Sequence, residues 1–199
     1  YMMNSLQQAL HSIGFDVRYQ DDVDYTKLPD EVKMLMFIDK GPRGKEFSKT
    51  DLIAIRRFVG TGGSLFYVGP YRASDPDERR RRRKEKRDFP GEMLMKAFDV
   101  ELRKDAVDWV KSPPKGVPES AVPLGVYNPR HPINRRVEHL YLSTEMKGST
   151  TDVPRKADVL AVTGKYATSS ERRSSKSVLA ATFSFGRGRV FVLSCPLHI

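Results

Sequence analysis

The chain has 199 residues, 39% of them apolar and 30% charged, with a formal charge of +10. It is long enough for one domain with a real core, and its ten Phe, eight Tyr and single Trp exclude a wholly disordered polymer. One cysteine excludes an internal disulfide or a multi-cysteine zinc site, and no apolar run approaches the ~20 residues of a membrane-spanning helix.

In chain order, Leu6, Leu10 and Ile13 recur at spacings of four and three, which predicts an amphipathic helix over 3–13 ended by Gly14. Residues 15–19 alternate as a short strand, and 28–31 read as a turn or short helical piece. Residues 32–38 form a nearly continuous apolar run, the pattern of a strand covered on both faces. Ser48 and Asp51 make a capping-box pair ahead of a helix lined by Leu52, Ile55, Phe58 and Val59, which the glycines of 60–63 stop. Residues 64–68 predict another interior strand, which runs out into Gly69, Pro70 and Tyr71.

The rhythm then breaks into a basic insert at about 72–90. Arg79, Arg80, Arg81, Arg82, Arg83, Lys84, Lys86 and Arg87 stand against two acids between Glu78 and Arg87, so +6 of the +10 is local. Residues 92–98 predict a helix and 100–110 a strand-rich stretch. The four prolines within 111–123 predict irregular chain. Later strands are expected at 137–142, 159–163, 178–183 and 189–193, with Gly186-Arg187-Gly188 joining the last two as a hairpin. Residues 143–158 and 165–177 read as polar loops.

Alternating helices and strands followed by a β-rich half predict a single α/β domain over 1–199. The expected form is a flavodoxin-like three-layer sandwich, with a mainly parallel sheet and antiparallel strands added in the C-terminal half. The chain opens inside what should be the first helix, so a first strand is expected to be missing and the chain to be a piece of a longer protein.

The segments Gly41-Pro42-Arg43, 49–59, Thr61-Gly62-Gly63 with its strand, 93–105, 178–181 and 188–195 follow one another in an order that resembles the class I glutamine amidotransferase-like superfamily. More narrowly, the chain is similar to its GIFT group, named for gliding-motility transporter auxiliary proteins and an intraflagellar transport B-complex subunit. The resemblance implies an amidotransferase fold without its chemistry, serving assembly or ligand recognition in a larger complex. The Arg-rich insert and the stretch 111–123 depart from that pattern.

A working amidotransferase needs a cysteine on a strand–helix elbow, activated by a histidine. The elbow position here holds Gly69, Pro70 and Tyr71, while Cys195 follows the last strand with His198 three residues on. Gly41, Pro42, Gly69 and Pro70 mark a remnant cleft, expected to be filled by side chains. His131, in an Asn-Pro-Arg-His-Pro-Ile segment, is expected to serve a turn through its imidazole and the flanking prolines. His11 and His139 lack carboxylate or histidine neighbours at ligand spacing, so no metal or cofactor is expected.

Three functions compete. The first is a non-catalytic domain contacting other protein subunits of a larger assembly through residues 79–87 and the Pro-rich stretch 111–123, in a reducing intracellular compartment such as cytoplasm or cilium. The second is a ribonucleoprotein component that uses the same tract on RNA, helped by Arg130, Arg135, Arg136, Arg172 and Arg173. The third is a hydrolase or amidotransferase built on Cys195 and His198.

Overall fold

The computed structural model describes residues 7–8, 10–39, 46–69, 90–103, 105, 107–109, 115–117, 121–137, 140–143, 148–169 and 176–194. The expected N-terminal helix is present at 7–8 and 10–12. It closes at Gly14, whose φ of +93° suits only glycine. The strand expected at 15–19 does not form. Phe15 and Tyr19 stay exposed, and the acids here bond locally, Asp16 to Arg18 and Asp21 to Tyr19. Alternation without a neighbouring edge is not enough to make a strand.

A 3-10 turn at Tyr25–Lys27 follows, N-capped by Asp24, and a further turn closes with Val32 N–H on Pro29 O at 3.0 Å. β1 (Met34–Ile38) then pairs in parallel with β2 (Ser64–Val68), and α1 (Lys49–Gly60) bridges them. The start of α1 is fixed as the sequence implies. Asp51 N–H donates to Ser48 Oγ at 3.1 Å, and Ser48 N–H donates to Asp51 Oδ2 at 2.9 Å. β1 corrects one expectation: all five of its residues are only partly buried, and among the described residues it is the end strand of its sheet.

Helix α2 (Pro90–Lys96) begins two residues earlier than the apolar spacing indicates, with proline at its first position, where no amide is needed. The remaining strands are β3 (Glu101–Leu102), β4 (Val107–Trp109), β5 (Ala121–Pro123), β6 (Gly125–Val126), β7 (Tyr141–Ser143), β8 (Thr151–Asp152), β9 (Asp158–Val162), β10 (Ala167–Ser169), β11 (Val178–Phe185) and β12 (Gly188–Leu193). Among the described residues, the main sheet runs β1-β2-β12-β11-β9-β6, and three two-stranded ribbons accompany it: β3 with β8, β4 with β10, and β5 with β7.

Among the described residues the sheet is mixed rather than mainly parallel. β1, β2 and β12 are parallel neighbours, whereas β11, β9 and β6 add antiparallel pairings. Short strands also correct three irregular or loop assignments. The Pro-rich stretch ends in β5, 143–158 contains β8, and 165–177 contains β10. Strands of two or three residues leave almost no alternation to read. The strand expected from residue 137 begins instead at Tyr141, because 132–136 form turns.

Side-chain alternation divides the core. Leu65 and Tyr67 of β2, Val190 and Val192 of β12, and Ala181 and Phe183 of β11 pack with Ile55 and Val59 of α1 and Leu94 and Met95 of α2. Phe66, Val68, Phe191 and Leu193 face the other way, against Val107, Val122 and Ala167 of the ribbons. Among the described residues, α1 and α2, with Leu102 of β3, cover one face, and the β4–β10 and β5–β7 ribbons cover the other. Leu179 and Ala180 lie in the same cluster although they are adjacent, and the β11–β9 register shifts there, as a bulge requires.

The β11–β12 hairpin forms at 186–187 as the sequence implies. Its tip is tied to the end of α1 by Arg187 N–H on Gly60 O at 3.0 Å and Arg189 N–H on Gly63 O at 3.3 Å.

Candidate functional site

Register brings Ile38, Val68 and Leu193 level at the carboxyl ends of the three parallel strands. The hydrogen-bond ladder runs one residue further. Asp39 N–H donates to Val68 O at 2.8 Å, and Gly69 N–H donates to Leu193 O at 2.9 Å. Asp39, Gly69 and Ser194 therefore stand side by side across the pole where open α/β sheets place their ligands.

The pole is occupied by the protein itself. Asp39 is 3% exposed and Tyr67 is fully buried, and the Tyr67 hydroxyl donates to Asp39 Oδ2 at 2.8 Å. Two glycines let the chain close over this pair. At Gly69, φ is +147°, and a Cβ would sit 2.5 Å from Asp39 Cβ and 3.2 Å from Tyr67 Oη. At Gly91, in the first turn of α2, a Cβ would overlap Asp39 Oδ2 and lie 2.6 Å from Tyr67 Oη. The neighbouring Glu92 is buried as well. Ser194, also fully buried, spends its hydroxyl on Leu179 O at 2.9 Å and accepts Ser149 N–H at its carbonyl at 2.9 Å.

A second buried carboxylate fastens the ribbons. Asp105 is 1% exposed. It accepts Thr150 N–H at 2.8 Å, the Thr150 hydroxyl at 2.6 Å and the Ser169 hydroxyl. This ties the loop before β8 to β10. The Ser149 hydroxyl beside it is buried with no hydrogen-bond partner among the described residues. No group of His, Cys, Asp and Glu able to hold a metal occurs among the described residues.

Of the residues the sequence singles out, Gly69 lies at this pole. Gly41, Pro42, Pro70, Arg79–Arg83, Lys84, Lys86, Arg87, His139, Arg172, Arg173, Cys195 and His198 lie outside the described residues. His131 serves a turn, as expected: its Nδ1 accepts Ile133 N–H at 3.2 Å, and its Nε2 is 3.8 Å from Asp158 Oδ2. His11 is exposed and bonds Phe15 O at 2.9 Å. The sequence reading missed Asp39, Tyr67, Gly91 and Asp105. A carboxylate directly after the apolar run of β1 was the one usable signal for Asp39.

No family model and no curated protein matches the chain significantly. Solved structures do. The mmIFT52 N-terminal domain is 21% identical, with a TM-score of 0.65 over 96% of this chain and 77% of that one. Cytoplasmic protein STM1381 from Salmonella typhimurium LT2 is 15% identical, with a TM-score of 0.57 over 97% of this chain and 75% of that one. Cytoplasmic protein STM3548 from Salmonella typhimurium is also 15% identical, with a TM-score of 0.56 over 96% and 74%. The chain shares its α/β fold with all three. Among the described residues, no helix is long and apolar enough to cross a membrane.

Proposed function

We propose that this chain is a GIFT-like, non-catalytic structural domain of a multi-subunit protein assembly, intraflagellar-transport-like or transporter-auxiliary in kind. The filled pole carries this reading. Where a catalytic or ligand-binding relative of the fold keeps its cleft open, Asp39 and Tyr67 occupy the space, and Gly69 and Gly91 bring backbone against them. Opening such a pole for a substrate means separating a buried phenol–carboxylate pair, a cost of about 1–3 kcal/mol before any ligand contact is made.

The fold likeness to the mmIFT52 N-terminal domain supports the assembly version of the reading, and with it a cytoplasmic or ciliary setting. The basic tract Arg79–Arg83, Lys84, Lys86 and Arg87 is the proposed partner contact, since insertions on a rigid scaffold are where binding residues concentrate. Gly41, Pro42, Gly69 and Pro70 then border a cleft that has lost its ligand.

The test is native affinity purification of the full-length protein with and without nuclease, followed by mass spectrometry of the co-purifying proteins. Partners that survive nuclease are expected. Partners that vanish with nuclease would replace this reading with the ribonucleoprotein one. Deleting 77–88 should leave folding intact and deplete those partners, and a deletion variant that co-purifies with all of them would remove the tract from the proposal.

A further inference from the structure

Residues 128–137 carry a pattern unrelated to the pole. Three backbone bonds follow one another at three-residue steps. His131 N–H donates to Asn128 O at 3.0 Å, Asn134 N–H to His131 O at 2.8 Å, and Val137 N–H to Asn134 O at 3.0 Å. Asn128 opens the series at φ +50°, a conformation asparagine tolerates better than most residues.

Burial follows the same step, with His131 half-buried and Asn134 buried while Arg130, Ile133 and Arg136 are exposed. The inner row contains His131 and Asn134. Asn134 is 4% exposed, and its Nδ2 donates to Tyr127 O at 2.6 Å and Leu160 O at 2.9 Å, pinning the turns to β9. Because His131 Nδ1 accepts the Ile133 amide, its neutral ring carries the proton on Nε2, toward Asp158. The outer row is Arg130, Ile133 and Arg136, with Arg135 beside it, and all four side chains are exposed. Ile133 is 48% exposed and Tyr127, just before the turns, 49%. Arg130, Arg135 and Arg136 have no ion-pair partner among the described residues.

We propose that the row Arg130–Ile133–Arg136, with Tyr127 and Arg135 at its sides, docks an acidic segment of a partner protein. The segment's carboxylates pair with the guanidinium forks, and an apolar residue covers Ile133. The inference rests on the assembly reading above but uses residues other than 79–87. Two features favour a protein. Arginine and tyrosine around an aliphatic tip is the composition of protein interface cores, and the central Ile133, unlike Tyr127 at the side, offers a nucleic-acid base nothing to stack on. The turns are already braced by Asn134 and His131, so docking orders little further backbone.

The experiment uses the full chain with the basic residues of 79–87 changed to Gln, so that this tract cannot bind the peptide. Fluorescence anisotropy follows a short labelled peptide of glutamates with leucines interspersed, and an oligouridylate of equal length. The peptide should bind. Arg130→Gln with Arg136→Gln should weaken it at least about tenfold, and Ile133→Ser by a smaller factor of about three to ten without altering its salt dependence.

Absent peptide binding, unchanged affinity in the double variant, or tighter oligouridylate binding on the same arginines would each overturn the proposal. Unchanged thermal melting shows that the exposed substitutions have not unfolded the chain. If the Gln-substituted tract abolishes assembly in cells while the peptide fails to bind, only this inference falls. If assembly proves nuclease-sensitive while the peptide binds at Arg130 and Arg136, only the assembly reading falls.

Discussion

Asp39 and Asp105 are both buried carboxylates within the same fold, yet they are held in different ways. Asp39 sits at the end of β1, meets a phenol from the neighbouring strand, and is walled in by glycines where backbone approaches. Asp105 sits outside regular structure and gathers an amide and two hydroxyls from two separate segments. The first closes a place where a ligand could enter. The second clips together ribbons too short to hold themselves, since two-stranded pairs of two or three residues are marginal alone. The difference teaches that a buried acid by itself marks no active site, and that its donors and walls say what it does.

The comparison can be broken first at Asp105. Asp105→Ala leaves three donors without an acceptor and should cost about 3–4 kcal/mol in urea unfolding. Asp105→Asn keeps one acceptor oxygen and should lose less. If Asp105→Ala unfolds at the wild-type midpoint, the clip is not structural.

Next is the wall at the pole. Gly91→Ala pushes a methyl into Asp39 Oδ2 and toward the Tyr67 hydroxyl, and should destabilise by about 2–3 kcal/mol, where an ordinary first-turn alanine would help the helix. A gain in melting temperature would show that the pole is open.

Tyr67→Phe removes one donor from Asp39 with little change of shape, and the expected loss is about 1–2 kcal/mol. Combined with Gly91→Ala, its effect should be non-additive, because both substitutions disturb the same carboxylate. Strict additivity would separate the two contacts.

The smallest effect sharpens the contrast with an exposed acid. Asp24 titrates below the ordinary carboxylate range, held there first by the Thr26 hydroxyl and then by the Thr26 amide. Its contribution is present above the unfolded-state value and disappears as pH falls through the lowered folded one. An NMR titration should place its midpoint below 3.8, and Thr26→Ala should raise it. An unmoved midpoint would remove the hydroxyl as the cause.

Much of the frame is legible in the sequence alone. Ser48 and Asp51 set the start of α1 through a bond between neighbours in sequence, and Gly186-Arg187-Gly188 turned the last two strands for equally local reasons. His131 in its proline-flanked turn belongs to the same class. These features depend on contacts within a few residues, and a sequence displays such contacts directly.

Tertiary structure decided what depends on distant partners. Residues 15–19 alternate like a strand but find no edge to join, while 151–152 and 167–169 become strands because an edge is presented to them. Mixed pairing replaced a mainly parallel sheet once β11 folded back along β12 and β9. The pole could not be read either, because Asp39, Tyr67 and Gly91 are separated by 28 and then 24 positions and meet only when the sheet closes. Sequence determined the local turns, caps and apolar faces of this protein. Packing decided which polar groups left the water together, because burial is a property of the whole chain.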